Sequence, residues 1–151
     1  MRLITALLLT AAPAIAGAQD AENRLPGPGT AVERVTLHPG ETASFTLAPG
    51  KDHQLLNAAD PGAKGAITIR YDADGARSTV TATSRTGYET VFSILADRDG
   101  SGAFKPAAEV QLPGNGTPTV RVFQGKLGTI NVGSFAGGPH GDHPHPLDGA
   151  N

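Results

Sequence analysis

AITIRYDADGARSTVTATS, residues 66–84, decides the fold class. Ile67, Ile69 and Tyr71 alternate with Thr68, Arg70 and Asp72. Beyond Asp74-Gly75, Val80 and Ala82 alternate with Thr79, Thr81 and Thr83. A period of two sends successive side chains to opposite faces of a pleated strand. An Asp-Gly pair between two such runs is hairpin-turn chemistry, because glycine accepts the positive φ that a tight turn demands. The stretch predicts a hairpin with one dry face and one wet face.

The same period extends in both directions. Upstream, ERVTLH (33–38) sets Val35 and Leu37 against Arg34, Thr36 and His38, and TASFTLA (42–48) sets Ala43, Phe45 and Leu47 against Thr42, Ser44 and Thr46. The turn signal His38-Pro39-Gly40-Glu41 joins them, which predicts a hairpin or corner. A weaker run, His53 to Asn57, lies between Pro49-Gly50 and Asp60-Pro61-Gly62. Downstream, ETVFSILA (89–96) is β-branched and aromatic on both faces, as a central strand would be. Glu109 to Leu112 reads as a short strand, Pro113-Gly114-Asn115-Gly116 as a primed hairpin turn, and Thr119–Gln124 with Leu127–Phe135 as a last pair.

Turn signals every 8 to 12 residues and no helix-period stretch lead to one expectation. Residues 31–136 should form an all-β domain, an Ig-like or related antiparallel β-sandwich of about eight strands. With no Cys and no Trp, the chain lacks the marks of an antibody-type domain.

Composition agrees. Only 17% of the 151 residues are charged and 38% are hydrophobic, while Gly (20) and Pro (12) are abundant. That balance suits short strands and tight turns better than a helix bundle. The absence of cysteine excludes disulfides, thiolate metal sites and cysteine nucleophiles, so stability must come from packing. The net charge is −2, and the Lys and Arg residues are scattered singly, which argues against nucleic acid as a partner.

The ends of the chain read differently. Residues 1–18 combine Arg2, the apolar run Leu3 to Ala12 and the small residues Ala14, Ala16 and Ala18, the pattern of a cleaved secretory signal peptide. The apolar run falls well short of the roughly 20 residues that a membrane span requires. A periplasmic or secreted protein without a transmembrane segment is expected. Residues 19–30, rich in charge, Pro and Gly, read as a flexible linker, and residues 137–151 as a disordered His/Gly/Pro-rich tail.

Candidate chemistry is sparse. In the tail, His140, Asp142, His143 and His145 form a candidate metal site for weak Zn²⁺ or Cu²⁺ binding, set against a biased composition with no role. Asp97-Arg98-Asp99-Gly100-Ser101-Gly102 is similar to the opening of a calcium loop, but the closing carboxylate should stand at Ala108, and Glu109 comes one residue late. A polar hairpin loop explains those residues better. Thr42, Ser44 and Thr46 on one strand, with Thr79, Thr81 and Thr83 on another, offer a hydroxyl array for a carbohydrate or an ordered surface, although Thr also suits any solvated strand.

His38 and His53 stand alone, and Asp52, Asp60, Asp72 and Glu89 would have to be assembled by folding to serve as an acid and base pair. No nucleophile elbow, zincin helix or phosphate loop occurs. The expectation is a non-enzymatic structural or interaction module without a resident cofactor, whose partner is another envelope or extracellular protein. The alternative is a periplasmic metal-binding protein using its histidine tail.

Overall fold

A computed structural model describes residues 29–138. Ten strands lie among them: β1 (Ala31–Val32), β2 (Arg34–Leu37), β3 (Thr42–Ala48), β4 (Leu55–Ala58), β5 (Ile67–Ala73), β6 (Arg77–Ser84), β7 (Thr90–Asp97), β8 (Lys105–Leu112), β9 (Thr119–Gln124) and β10 (Thr129–Ala136). They form a six-stranded sheet, β1-β4-β3-β5-β6-β9, and a four-stranded sheet, β2-β10-β7-β8. Every pairing is antiparallel. The all-β, two-sheet architecture expected from the period is therefore present. No helix among the described residues is long and apolar enough to cross a membrane.

The β5–β6 hairpin is as the alternation requires, with Ile67 opposite Ser84 and Ala73 opposite Ser78. Its turn is closed by Asp74, whose side chain accepts the Ala76 and Arg77 N–H groups at 3.1 and 2.8 Å, and by Gly75 at φ 90°. Ile67, Ile69, Tyr71, Val80 and Ala82 are buried on one face. Between the sheets, Phe135 of β10 stacks on Phe92 of β7 (centroids 5.1 Å) and meets Phe45 of β3 edge-on (5.3 Å). Such ring pairs add about 0.5–1.5 kcal/mol each beyond the area they bury.

At three turns the chain passes from one sheet to the other, and at two of them this departs from the expected pairing. Strands β2 and β3, expected as a hairpin or corner, take the corner: β2 pairs with β10 and β3 with β4 and β5. The Asn115-Gly116 segment does not close a β8–β9 hairpin, because β8 pairs with β7 in one sheet and β9 with β6 in the other. Likewise β9 and β10 do not pair, since β10 sits between β2 and β7. Turn residues fix a local reversal of direction. Which strand the returning segment joins depends on where its apolar face can be buried.

Buried hydroxyls hold the β9–β10 crossing. Ser78 Oγ donates to the Gly125 carbonyl (3.0 Å) and accepts the Leu127 N–H (3.1 Å), tying the β9–β10 crossing to β6. The Tyr71 hydroxyl donates to the Gly128 carbonyl at 2.9 Å. On β2 the alternation fails: Thr36 is buried along with Val35 and Leu37. Its hydroxyl donates to Asn131 Oδ1 of β10 at 2.7 Å, so the polar pair is satisfied under cover.

Two further differences have local causes. Strand β8 runs from Lys105, four residues earlier than expected, and admits Pro106 because it is an edge strand with a register shift against Ile94/Leu95 of β7. β10 carries a bulge between Gly133 and Ala136, where Ser134 adopts φ 55°. The extra residue lets Phe135 point into the core.

Candidate functional site

The outer face of the six-stranded sheet gathers the hydroxyls that the sequence marks out. Phe45 and Ala43 of β3 are buried, so Thr42, Ser44 and Thr46 face outward; Val80 and Ala82 of β6 are buried, so Thr79, Thr81 and Thr83 do the same. The two strands are not neighbours. β5 lies between them and supplies Thr68, opposite Ser44 on one side and Thr83 on the other. Ser44 and Thr68 share a hydrogen bond of 2.9 Å between their hydroxyls.

The result is a lattice with a repeat of about 6.8 Å along each strand and about 4.8 Å between strands. Asn57 of β4, opposite Thr46, extends it to one side; Val120 and Val122 of β9, opposite Thr81 and Thr79, extend it to the other. Its charges come in pairs. Arg70 bonds Asp72 through Nε at 2.6 Å and Nη2 at 2.9 Å, and this hydrogen bond with its charge holds the guanidinium firmly protonated. At the rim, Arg77 lies 3.9 Å from Asp74, whose pKa is lowered by the Arg77 and Ala76 N–H groups. The contributions of Thr68 and of the Arg70–Asp72 pair were available from the β5 alternation. Their place at the centre of the array was not.

The loop joining β7 to β8 spends its carboxylates on itself. Asp97 is buried and accepts the Ser101 N–H at Oδ1 (3.1 Å) and the Gly102 N–H at Oδ2 (2.8 Å). Asp99 Oδ1 takes the Ser101 hydroxyl (2.6 Å) and N–H (3.1 Å), which lowers the Asp99 pKa. This is a loop closed by acidic side chains on backbone donors, as the polar-loop reading expected.

The other singled-out residues are dispersed. His38 Nδ1 sits 3.2 Å from Glu41 Oε2 across their turn. Asp72 belongs to the Arg70 pair, while Asp52, Asp60 and Glu89 are exposed in separate loops. Among the described residues, no three His, Asp or Glu side chains converge into a group able to hold a metal ion. His53 borders a cleft of about 60 Å³ on the four-stranded sheet, with Arg34, Asn131 and the strained Ser134. That volume suits a few water molecules. His140, Asp142, His143 and His145 lie outside the described residues, as do the leader at 1–18 and most of the linker and tail.

Comparison of the chain with protein-family models, curated proteins and solved structures returned no match.

Proposed function

We propose that this chain is an exported, non-enzymatic sandwich of the Ig-like class that acts by surface contact in the cell envelope or outside the cell, holding a hydroxyl-rich polymer such as an envelope glycan on its threonine face. The observation that carries the reading is the continuous outward row of Ser44, Thr68 and Thr83 with Thr42, Thr46, Thr79 and Thr81 around it. Each hydroxyl can donate one hydrogen bond and accept others, the same double capacity that a sugar hydroxyl has. The face carries no net charge, since Arg70 and Asp72 neutralise one another, which suits a neutral partner and predicts weak salt dependence.

No aromatic ring stands among these residues to stack on a sugar, so single contacts are weak and a polymer that engages many hydroxyls at once is the fitting ligand. The leader pattern at 1–18 supports export, and ten strands in two antiparallel sheets with repeated crossings support the Ig-like class.

The test is co-sedimentation of purified protein with insoluble glycans (peptidoglycan sacculi, cellulose, chitin) at low and high salt. Retention on at least one, insensitive to salt and reduced about tenfold by Thr68→Val with Thr81→Val, is expected. Failure to sediment with any glycan, or unchanged binding by the double variant, overturns the glycan reading. A saturable hydrolytic activity abolished by a single carboxylate substitution overturns the non-enzymatic one.

A further inference from the structure

Sheet edges expose unpaired backbone groups, and proteins ordinarily blunt them. Three of the four edges here are blunted. β1 has only two residues, β2 has four and begins at the exposed Arg34, and β8 carries Lys105, Pro106 and a register shift. β9 is different. It runs six residues against β6 with no register shift and no proline, and Val120 and Val122 are 56% and 51% exposed, the two large apolar side chains left open among the described residues.

The direction of its unpaired groups follows from the ladder. Gly125 donates its N–H to the Ala76 carbonyl (2.8 Å), just beyond the Arg77–Gln124 pair. Hydrogen-bonded pairs alternate in an antiparallel ladder, so Phe123 and Arg121 also turn their backbone groups toward β6. Val120, Val122 and Gln124 therefore turn theirs to the open edge.

We infer that β9 pairs with β9 of a second copy of this chain, antiparallel and two-fold symmetric about Val122. In that register Val122 meets Val122 and Val120 meets Gln124 on the outer face, with backbone donors and acceptors matched between them. On the inner side, Arg121 of each copy lies opposite Phe123 of the other, an arrangement in which guanidinium and ring attract. Of the other symmetric registers, the one centred on Arg121 would set two guanidinium groups directly opposite and is disfavoured, and those centred on Val120 or Phe123 would pair a shorter stretch of the strand. This self-complementarity is what selects a second copy over an unrelated strand. The two-fold axis stands perpendicular to the sheet, so both outer faces look the same way. The pairing does not depend on what the threonine face binds.

Sedimentation equilibrium on the full protein tests it. Dimer is expected to appear over roughly the micromolar to millimolar range, as suits an interface built on one strand. Val122→Lys and Val122→Glu, both at a half-exposed position that leaves the core untouched, should each be monomeric at concentrations where the parent is dimeric. Mixed in equal amounts they should restore dimer, since unlike charges then meet at the axis. A parent protein that stays monomeric, a Val122→Lys protein that dimerises as the parent does, or a mixture that stays monomeric overturns the proposal. Circular dichroism melting of both variants separates loss of pairing from loss of fold.

Discussion

Removing one hydroxyl from β6 should loosen the crossing from one sheet to the other. Ser78 is fully buried, and its Oγ both donates to Gly125 and accepts from Leu127. In Ser78→Ala both bonds vanish at once, and the Leu127 N–H is left buried beside a methyl group. A hydrogen bond contributes about 1 kcal/mol net, while each buried group left without a partner costs about 1–3 kcal/mol, so the variant should lose about 2–4 kcal/mol. Urea unfolding followed by circular dichroism reads this as a lower midpoint at unchanged slope. Ser93→Ala is the control: Ser93 is half-buried on β7 and its hydroxyl makes no hydrogen bond among the described residues, so its loss should stay within about 0.5 kcal/mol. Hydrogen exchange adds a local signature, because the Leu127 amide should lose protection before the β5–β6 ladder does. If Ser78→Ala falls within about 0.5 kcal/mol of the control and Leu127 stays protected, the hydroxyl does not hold the crossing and the reasoning fails.

Asp97→Asn should destabilise nearly as much as Asp97→Ala, about 1.5–3 kcal/mol, because the amide nitrogen would face a backbone N–H where a carboxylate oxygen now accepts one; thermal melts of the pair check it, and an Asn variant close to the parent would contradict it. Ser134→Gly should be neutral or stabilising by up to about 1 kcal/mol, whereas Ser134→Val should cost about 1–2 kcal/mol, since φ 55° strains a β-branched residue most. Gly128→Ala should cost about 3 kcal/mol or more, measured by urea unfolding, because a Cβ there would run into the Asp97 carbonyl at a position with φ 70°. Asp74 and Asp99 both have lowered pKa values, so the stability they contribute is present at neutral pH and is lost as pH falls below the ordinary carboxylate range through their folded values; melts across the acid range should show a shallower decline for Asp74→Asn and Asp99→Asn.

Much of the candidate site was legible because β3, β5 and β6 alternate cleanly. Once Phe45 and Val80 are assigned to the interior, the outward Thr and Ser residues follow by counting in twos. That β5 would lie between β3 and β6, carrying Thr68 into the middle of the array, could not be counted, because β4 intervenes in the chain yet pairs on the far side of β3. The exposed valines of β9 were hidden for a similar reason. Val120 and Val122 alternate as any strand does, and it is their place on the outer face of an edge strand that leaves them open to solvent.

By itself the sequence determined the local geometry: strand after strand, the turn at Asp74-Gly75, and which side chains of the β5–β6 hairpin go dry. Those features rest on backbone sterics and on contacts a few residues apart, which the chain carries wherever it goes. Tertiary structure alone decided that the His38–Glu41 and Pro113–Gly116 turns are corners between sheets, that Thr36 is buried against Asn131, and that β9 ends with an unpaired edge. The physical reason is that a turn fixes only a change of direction. The partner a strand then takes is set by where its apolar face finds the interior, a property of the whole assembled chain.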